Sequence, residues 1–410
     1  MSEFFTGNRK KVMENLPNNS VLVLFSGNAP IKLGDEQYRF AVPRNFYYLT
    51  GIDSPNVILV LQKHGENIRE FLYLERFDEL KAKWIGAPLN ADEAKKLSGV
   101  AECWFVDEFE KDISKLFLEI TPEVWSDLES PASKFVEKLQ DSFPDVKIQN
   151  VYPVFASLRA IKTEYEMNHI KKAIAITRDG FCSMMKNARA GMFEYEIEAF
   201  FDFTLKKNGV HDHAFPLIAA SGANAAVLHY AANNRKICGG EMILVDAGAQ
   251  FGCYNADITR TFPVNGKFSS RQKLLYNVVL EGQKRVIETI KPGVLFKTLN
   301  ETLIDFYKQE LKKIGLIEND DDMKKYYYHK VSHMLGLETH DCNRIAEKND
   351  GTILEEGMVL TVEPGLYIAE EGIGIRIEDD VAVTKDGCEV LSAQIAKTTE
   401  EIESLIQGSI

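Results

Sequence analysis

No apolar run in the sequence is long enough to cross a membrane. The longest runs, such as residues 21–25 and 57–61, have the length of a strand, whereas a membrane-spanning helix needs about 20 apolar residues. The start of the chain shows no charged head followed by an apolar stretch, so it carries no recognisable secretory signal. We therefore expect a cytoplasmic protein without a membrane partner.

Excess positive charge and closely spaced cysteines are also absent. The net charge is −13, from 48 Lys and Arg against 61 Asp and Glu, whereas binding to nucleic acid by fold-wide electrostatics needs a basic surface. The 6 cysteines are scattered, with no two at the spacing of a zinc finger or a redox motif. We expect no nucleic-acid partner, and free thiols in a reducing cytosol.

What the 410 residues do contain is an ordinary globular composition, with 45% apolar residues, enough for two domains. Residues 1–150 alternate strand-like runs with polar helical stretches, which predicts a small α/β domain. Strands are expected at residues 21–25, 57–61, 71–74 and 103–106, and helices at residues 91–97, 109–117 and 132–139. Residues 141–160 show no sustained period, and residues 151–163 are interpreted as a connector to a second domain, residues 164–410.

The second domain contains one pattern twice. Helical periodicity over residues 164–185 and again over residues 275–290 is followed each time by a glycine break and a further helix. Residues 240–248 and 357–365 then both read as a glycine, five mostly apolar residues, a carboxylate, one residue and a glycine. Chance explains either string alone, but their shared position favours a duplication with two similar halves and a pseudo-twofold axis.

Two aspartates are predicted to face each other in the first half. Asp246 ends a strand rich in Ile and Val, where an unpartnered carboxylate is costly. A two-residue turn centred on Phe251 and Gly252 would place Asp246 directly opposite Asp257, with Cβ atoms about 5 Å apart. Two like charges that close require a proton or a cation between them.

The second half supplies a similar pair and a histidine. A turn centred on Glu370 and Glu371 would bring Glu363 opposite Glu378, and His333 lies in a segment that holds three of the chain's 8 histidines. Four carboxylates in one pocket require metal, and two divalent cations would neutralise them. Such an oxygen-rich set with one imidazole suits Mn(II), and also Fe(II) or Co(II), better than structural zinc or magnesium.

The strings around these residues resemble the pita-bread metallopeptidases, and most closely the aminopeptidase P and prolidase group. They read Val-Asp-Ala-Gly, Asp-Ile-Thr-Arg-Thr-Phe, Ser-His-Met-Leu-Gly-Leu, Val-Glu-Pro-Gly-Leu-Tyr and Gly-Ile-Arg-Ile-Glu-Asp. Residues 45–51 resemble a motif of the aminopeptidase P amino-terminal domain, and residues 158–164 resemble the helix entry of the catalytic domain. The resemblance implies an α/β (α+β) protein with a pseudo-twofold pita-bread catalytic domain, assembled at least as a homodimer.

The resemblance also implies a dinuclear metal site. Asp257 and Glu378 would bridge the two ions, Asp246 would complete the shell of one, and His333 with Glu363 the shell of the other. A metal-bridging hydroxide would attack the peptide bond. Glu363 would then carry a proton to the leaving proline nitrogen as a general acid–base.

Two further histidines match family residues that hydrogen-bond the substrate and the tetrahedral intermediate. These are His229 and His340. An ordinary core histidine is the alternative for His229. A structural pair with Asp341 is the alternative for His340.

Three more residues are candidates for substrate contact. By resemblance, His329 and Tyr367 line the proline pocket. Strand alternation aims Arg376 at the same face as Glu378, where it contacts the substrate or is the structural partner of a neighbouring carboxylate.

The activity implied is that of an Xaa-Pro aminopeptidase acting on short peptides with a free amino terminus. A prolidase, which cleaves Xaa-Pro dipeptides, is the alternative, and a non-catalytic pita-bread binding module is a further one, although such modules lose the ligand set. A methionine aminopeptidase is a less favoured alternative, because those enzymes usually lack a domain like residues 1–150. The segment at residues 45–48 is more like aminopeptidase P, so we predict that Xaa-Pro-Yaa and longer peptides are better substrates than dipeptides.

Overall fold

The computed structural model describes residues 2–119, 123–127, 132–342 and 351–408. The chain divides into two compact units, residues 1–158 and residues 159–410. Within the described ranges, no helix is both long and apolar enough to cross a membrane.

The first unit is an α/β structure. Its helices are α1 (Ser2–Glu14), α2 (Arg44–Thr50), α3 (Glu79–Ile85), α4 (Ala91–Ser98), α5 (Val106–Glu119), α6 (Ser133–Ser142) and α7 (Tyr152–Ala160), the last at the boundary between the units. Its strands are β1 (Ser20–Phe25), β2 (Ile31–Leu33), β3 (Glu36–Gln37), β4 (Ile58–His64), β5 (Asn67–Leu74), β6 (Glu102–Phe105), β7 (Glu123–Ser126) and β8 (Ile148–Asn150). The predicted strands and helices are therefore confirmed.

Six of these strands form one mixed sheet in the order β6-β5-β4-β1-β7-β8. β1 is buried along nearly its whole length because it lies inside the sheet, which explains why its sequence is continuously apolar. Alternate residues of β1, including Val21 and Val23, pack in one cluster with Phe109 and Ile113 of α5.

The segment interpreted as a connector contains a helix. α7 spans Tyr152–Ala160, although this part of the sequence shows no sustained period. Pro153 stands in the first turn of α7, where a backbone N–H has no intrahelical partner, so proline costs the helix little there.

The second unit is built from helices and short strands. Its helices are α8 (Glu164–Asn187), α9 (Glu194–Lys207), α10 (Ser270–Thr289), α11 (Lys297–Lys313) and α12 (Thr399–Gln407), with 3₁₀ turns at Gly222–Ala226, Asp320–Lys325 and Ala369–Glu371. Its strands are β9 (Ile218–Ser221), β10 (Met242–Ala247), β11 (Gln250–Phe251), β12 (Tyr254–Asn255), β13 (Ile258–Pro263), β14 (Val359–Val362), β15 (Gly365–Ile368), β16 (Ile373–Arg376), β17 (Asp379–Val383) and β18 (Cys388–Val390).

The two halves of this unit repeat one order of elements. α8 packs against α9, and the sheet β13-β10-β9 follows; α10 packs against α11, and the sheet β14-β17-β18 follows. Each helix pair opens with a capping box, formed by Thr163 with Glu166 in α8 and by Ser269 with Gln272 in α10. The predicted repeat of a helix pair and a sheet is therefore present.

The predicted register of the first hairpin is wrong by one residue at the turn. The turn is centred on Gly252 and Cys253, both with positive φ (54° and 63°), as a tight hairpin turn requires. Asp246 therefore pairs with Thr259, not with Asp257. Asp257 stays on the same side as Asp246, because the shift is by two positions and side chains alternate with a period of two.

The predicted register of the second hairpin is confirmed. Gly365 pairs with Arg376 in β15 and β16, and Val362 pairs with Asp379 in β14 and β17. Glu363 and Glu378 lie between these two paired segments, and so they stand opposite each other.

Candidate active site

The second unit contains a cavity of about 640 Å³. Every candidate site residue predicted from the sequence, except Tyr367, lines this cavity: Asp246, Asp257, His229, His329, His333, His340, Glu363, Arg376 and Glu378. Tyr367 does not line the cavity, but its hydroxyl forms hydrogen bonds with two lining residues, His329 and Arg376.

The four carboxylates among the five candidate metal ligands lie at the ends of strands in both halves. Asp246 lies in β10, Asp257 precedes β13, Glu363 follows β14 and Glu378 separates β16 from β17. His333 Nε2 lies 3.3 Å from Asp257 Oδ2 and 3.5 Å from Glu363 Oε1. Ligand atoms of Asp257, His333 and Glu378 all lie within 4.8 Å of one another.

Negative charge is concentrated in this cluster. Burial, reinforced by neighbouring carboxylates, raises the pKa of Asp257 and the pKa of Glu378 well above their ordinary values. Burial raises the pKa of Glu363 to about 7, against the opposing influence of His333 and Arg376. Carboxyl groups in such a setting keep a proton unless a cation takes its place.

The donor set fits a divalent metal ion. Oδ2 of Asp246 accepts a 2.6 Å hydrogen bond from Arg376 Nη2, but Oδ1 is buried and has no hydrogen-bond partner within the described ranges. Leaving a buried acceptor unpaired costs free energy, and a divalent ion would satisfy it. Carboxylate oxygens with one imidazole nitrogen are ligands that such ions accept.

One residue of this network was not predicted from the sequence. Thr259 Oγ1 donates a 2.7 Å hydrogen bond to Glu378 Oε2 and accepts one of 3.1 Å from Arg376 Nε. Thr259 of the first half is thereby hydrogen-bonded to Glu378 and Arg376 of the second half, and Arg376 is in turn hydrogen-bonded to Asp246. The correct hairpin register would have revealed it, because Thr259 is the residue that pairs with Asp246.

Arg376 is enclosed by this network. The residue is 4% exposed. Its guanidinium donates hydrogen bonds to Asp246, to Thr259 and, at 3.2 Å, to the hydroxyl of Tyr367. Of its two predicted roles, the geometry therefore favours the structural partner of a carboxylate.

A glycine allows the two aspartates to approach. A Cβ atom added to Gly248 would lie 1.8 Å from the carbonyl oxygen of Ala256. This contact lies between Asp246 and Asp257 along the hairpin. Any side chain at position 248 would push the strands apart.

His340 faces the cluster rather than its sequence neighbour. Its ring centre lies 4.3 Å from that of His333, and burial, together with the nearby His333 and His229, lowers the pKa of His340 to about 4. Asp341 instead accepts hydrogen bonds from Arg159 and from Lys162, the latter at 3.1 Å. His340 is therefore neutral at pH 7 and lines the cavity.

Asp341 also belongs to a second acidic cluster, with Glu338 and Cys342. Burial alone would raise the pKa of Asp341, but Arg159 and Lys162 hold it below the usual range. Because two cations already neutralise this carboxylate, the cluster is an ion-pair network and a poor metal site.

His329 and Tyr367 form a hydrogen-bonded pair beside the cluster. His329 Nδ1 lies 2.7 Å from the carbonyl oxygen of Lys330, which only accepts, so Nδ1 carries the proton. His329 Nε2 then accepts from the Tyr367 hydroxyl at 2.8 Å. Burial, followed by the charge of Arg376, lowers the pKa of His329 to about 4, so this ring is also neutral at pH 7.

The segment that carries His229 is held by a carboxylate that was not predicted. The residue is exposed to the cavity, which excludes the alternative of a core histidine. Glu194, fully buried in α9, accepts hydrogen bonds from the Ser221 amide, the Tyr230 hydroxyl and the Arg235 amide, at 2.7, 2.8 and 2.9 Å. These donors flank His229 on both sides. The sequence shows Glu194 only as an ordinary acid in the first turn of a helix.

The sequence matches two protein families. Residues 168–385 match Metallopeptidase family M24, and residues 5–125 match Aminopeptidase P, N-terminal domain. These ranges fall in the second and the first compact unit, respectively.

Similar proteins span the whole chain. The Xaa-Pro aminopeptidase of Haemophilus influenzae is 34% identical, over 98% of this chain and 97% of its own length. A solved Bacillus anthracis chain, provisionally assigned as an aminopeptidase P, is 47% identical with a TM-score of 0.96, over 100% of this chain and 99% of that chain. Aminopeptidase P of E. coli with the inhibitor Pro-Leu is 29% identical with a TM-score of 0.94, over the same shares.

Proposed function

The chain belongs to metallopeptidase family M24, and from that premise we propose that it is an Xaa-Pro aminopeptidase, which releases the first residue of peptides that have proline in the second position. The observation that carries the proposal is the convergence of four carboxylates and one imidazole in a single cavity beside neutral histidines. The full-length similarity to Xaa-Pro aminopeptidases supports the same activity.

We propose that the cavity holds two divalent ions and that Mn(II) is the preferred metal. Asp257 and Glu378 would bind both ions, Asp246 one of them, and His333 with Glu363 the other. The unpaired oxygen of Asp246 and the raised pKa values of the buried carboxyl groups support this assignment. When bound, the ions would lower the pKa of a water molecule and so supply a nucleophile at neutral pH.

The side chains themselves move the proton and hold the substrate. Glu363 lies 3.5 Å from His333 and 3.8 Å from His329. There it would accept a proton from the attacking water and pass it to the proline nitrogen as the peptide C–N bond breaks. Neutral His340, with His229, donates hydrogen bonds to the developing oxyanion. His329 and Tyr367 bound the space for the proline ring, while Arg376 fixes Asp246 in place.

A peptide panel assayed with Mn(II) tests the function. We expect an Xaa-Pro-Yaa tripeptide to be hydrolysed with a higher kcat/KM than the Xaa-Pro dipeptide, with only the first residue released, because a longer chain continues beyond the proline pocket. The matched control is an Xaa-Ala-Yaa tripeptide, which should resist. A clear preference for the dipeptide would make the protein a prolidase, and no hydrolysis of any Xaa-Pro peptide would refute the proposal.

We further propose that residues 1–150 form the amino-terminal domain, that residues 151–163 connect it and that residues 164–410 form the catalytic domain. The two family matches, which lie on either side of the connector, support this division. A cytoplasmic location and a homodimer are proposed from the sequence and the resemblance alone. Cell fractionation and sedimentation of the purified protein test them.

A further inference from the structure

We propose that Lys330 and Ser332 form a subsite for a carboxylate on the residue that follows proline. The inference rests on the proposed Xaa-Pro aminopeptidase activity and names a class of substrate for it. Preferred peptides carry a negative charge immediately after proline, either the α-carboxylate of a tripeptide or an acidic side chain in a longer chain.

The location of the subsite follows from two adjoining cavities. A second cavity of about 310 Å³ lies beside the catalytic cavity and is lined by the start of α11 and by residues 330–332. Lys330 and Ser332 line both cavities. Lys330 directly follows His329, which bounds the proposed proline pocket, and both line the catalytic cavity, so we place the subsite next to that pocket.

Ser332 has an unused hydroxyl at this junction. The residue is 3% exposed, and its Oγ atom is buried with no hydrogen-bond partner in the described part of the chain. A buried hydroxyl without a partner destabilises the folded state. A ligand oxygen that accepts from Oγ would remove that penalty.

Lys330 supplies a cation without an internal partner. Two neighbouring lysines are paired, Lys297 with Glu301 at 3.6 Å and Lys325 with Glu370 at 3.5 Å. Across the described ranges, by contrast, no carboxylate forms an ion pair with exposed Lys330. An ammonium group and an unused hydroxyl donor, on two residues that line the same cavities, match the chemistry of a carboxylate.

The other cation of the catalytic cavity cannot serve this purpose. Arg376 is buried and its guanidinium already donates to Asp246, Thr259 and Tyr367. To bind a substrate carboxylate, Arg376 would have to break these hydrogen bonds. Lys330 is therefore the cation that a peptide carboxylate meets in this cavity.

The test compares Lys330→Met with the wild-type holoenzyme on two matched pairs of peptides. One pair is Ala-Pro-Ala as the free acid and as the amide; the other is Ala-Pro-Asp-amide and Ala-Pro-Asn-amide. Loss of a partly exposed ion pair should raise KM for a charged peptide about fivefold, with KM for its neutral partner and kcat unchanged. Ser332→Ala should raise the same KM by a smaller factor.

Lys324→Met is the matched control, because Lys324 is highly exposed and lines neither cavity. An effect confined to one pair of peptides supports the subsite and identifies which carboxylate it reads. If Lys330→Met leaves the ratio of acid to amide unchanged in both pairs, the subsite is refuted while the aminopeptidase activity stands. If the wild type cleaves none of the four peptides, the proposed activity itself has failed.

Discussion

Substitution of Asp257 or Glu378 should impair function most, because each of these carboxylates is proposed to bind both ions. We predict that Asp257→Asn and Glu378→Gln each abolish turnover and weaken metal binding, since each removes one negative charge from two metal sites while nearly preserving side-chain volume. Metal content by elemental analysis, measured together with kcat, checks this. Asp321→Asn, an exposed aspartate of the 3₁₀ turn at Asp320–Lys325, is the control. Full activity with two ions retained would remove the altered residue from the ligand set.

The sequence was informative about these residues because their chemistry shows in the residue type alone. Carboxylates at the ends of apolar strands stand out, since burial makes them costly. Thr259 could not be found in this way, because a threonine in a strand is unremarkable and its importance depends on the hairpin register. The same holds for Ser332 and Lys330, whose location between two cavities is a property of the folded chain.

At the scale of elements, the segment that carries His229 depends on α9. We predict that Glu194→Gln lowers kcat/KM about tenfold or more, because hydrogen bonds to a charged group are worth about 1.5–3 kcal/mol each and the amide can no longer accept from all the donors around it. Metal content should stay unchanged, since Glu194 lies outside the ligand set. The measurement is kcat/KM with metal content and melting temperature for the same sample.

Glu281→Gln is the matched control for that substitution, because Glu281 is an exposed glutamate whose ion pair with Arg285 lies within one helix. A lower melting temperature with an unchanged kcat/KM in the folded fraction would show that Glu194 only stabilises the fold. A loss similar to that of His229→Ala would show that it acts by positioning this histidine.

Element boundaries were predictable to the extent that local sequence determines them. The strands of the first unit were found from continuous apolar runs, and α8 from its 3.6-residue period. The turn at Gly252 and Cys253 was missed because a non-glycine residue with positive φ is uncommon. Helix α7 was missed because its segment shows no sustained period in the sequence, and Pro153 is tolerated in its first turn.

For the whole molecule, the acidic cluster links stability to pH. Burial raises the folded-state pKa of Asp257, Glu363 and Glu378, so the stability that their protonation provides is lost as pH rises through these values. His329 and His340 have folded-state pKa values of about 4, so their effect on stability is opposite: it increases as pH rises. That increase is nearly complete above the unfolded-state pKa of about 6.5. We predict that the melting temperature of metal-free protein falls from about pH 6.5 to about pH 8.

Thermal unfolding of chelator-treated protein at several pH values is the measurement. Mn(II) should reduce this dependence, because bound cations replace the protons. Glu363→Gln, which cannot ionise, should also reduce it. A melting temperature that is constant or rises over this range in the metal-free protein would contradict charge repulsion among these carboxylates.

The duplicated architecture was visible in the sequence because each half repeats a long pattern of helix pair, glycine and carboxylate. How far the halves approach each other was not visible. Arg376 donates from the second half to Asp246 in the first, and Thr259 donates back to Glu378. Such contacts join residues more than a hundred positions apart, and no local pattern encodes them.

The close approach at Gly248 has a consequence for inheritance. Every replacement of a glycine codon that still encodes an amino acid adds at least a β-carbon, and here that atom would overlap the Ala256 carbonyl oxygen. Lineages that keep Asp246 and Asp257 as the proposed metal ligands should therefore keep Gly248 as well, although glycine has no side chain that could bind an ion. Selection acts on this position through the distance between two neighbouring strands.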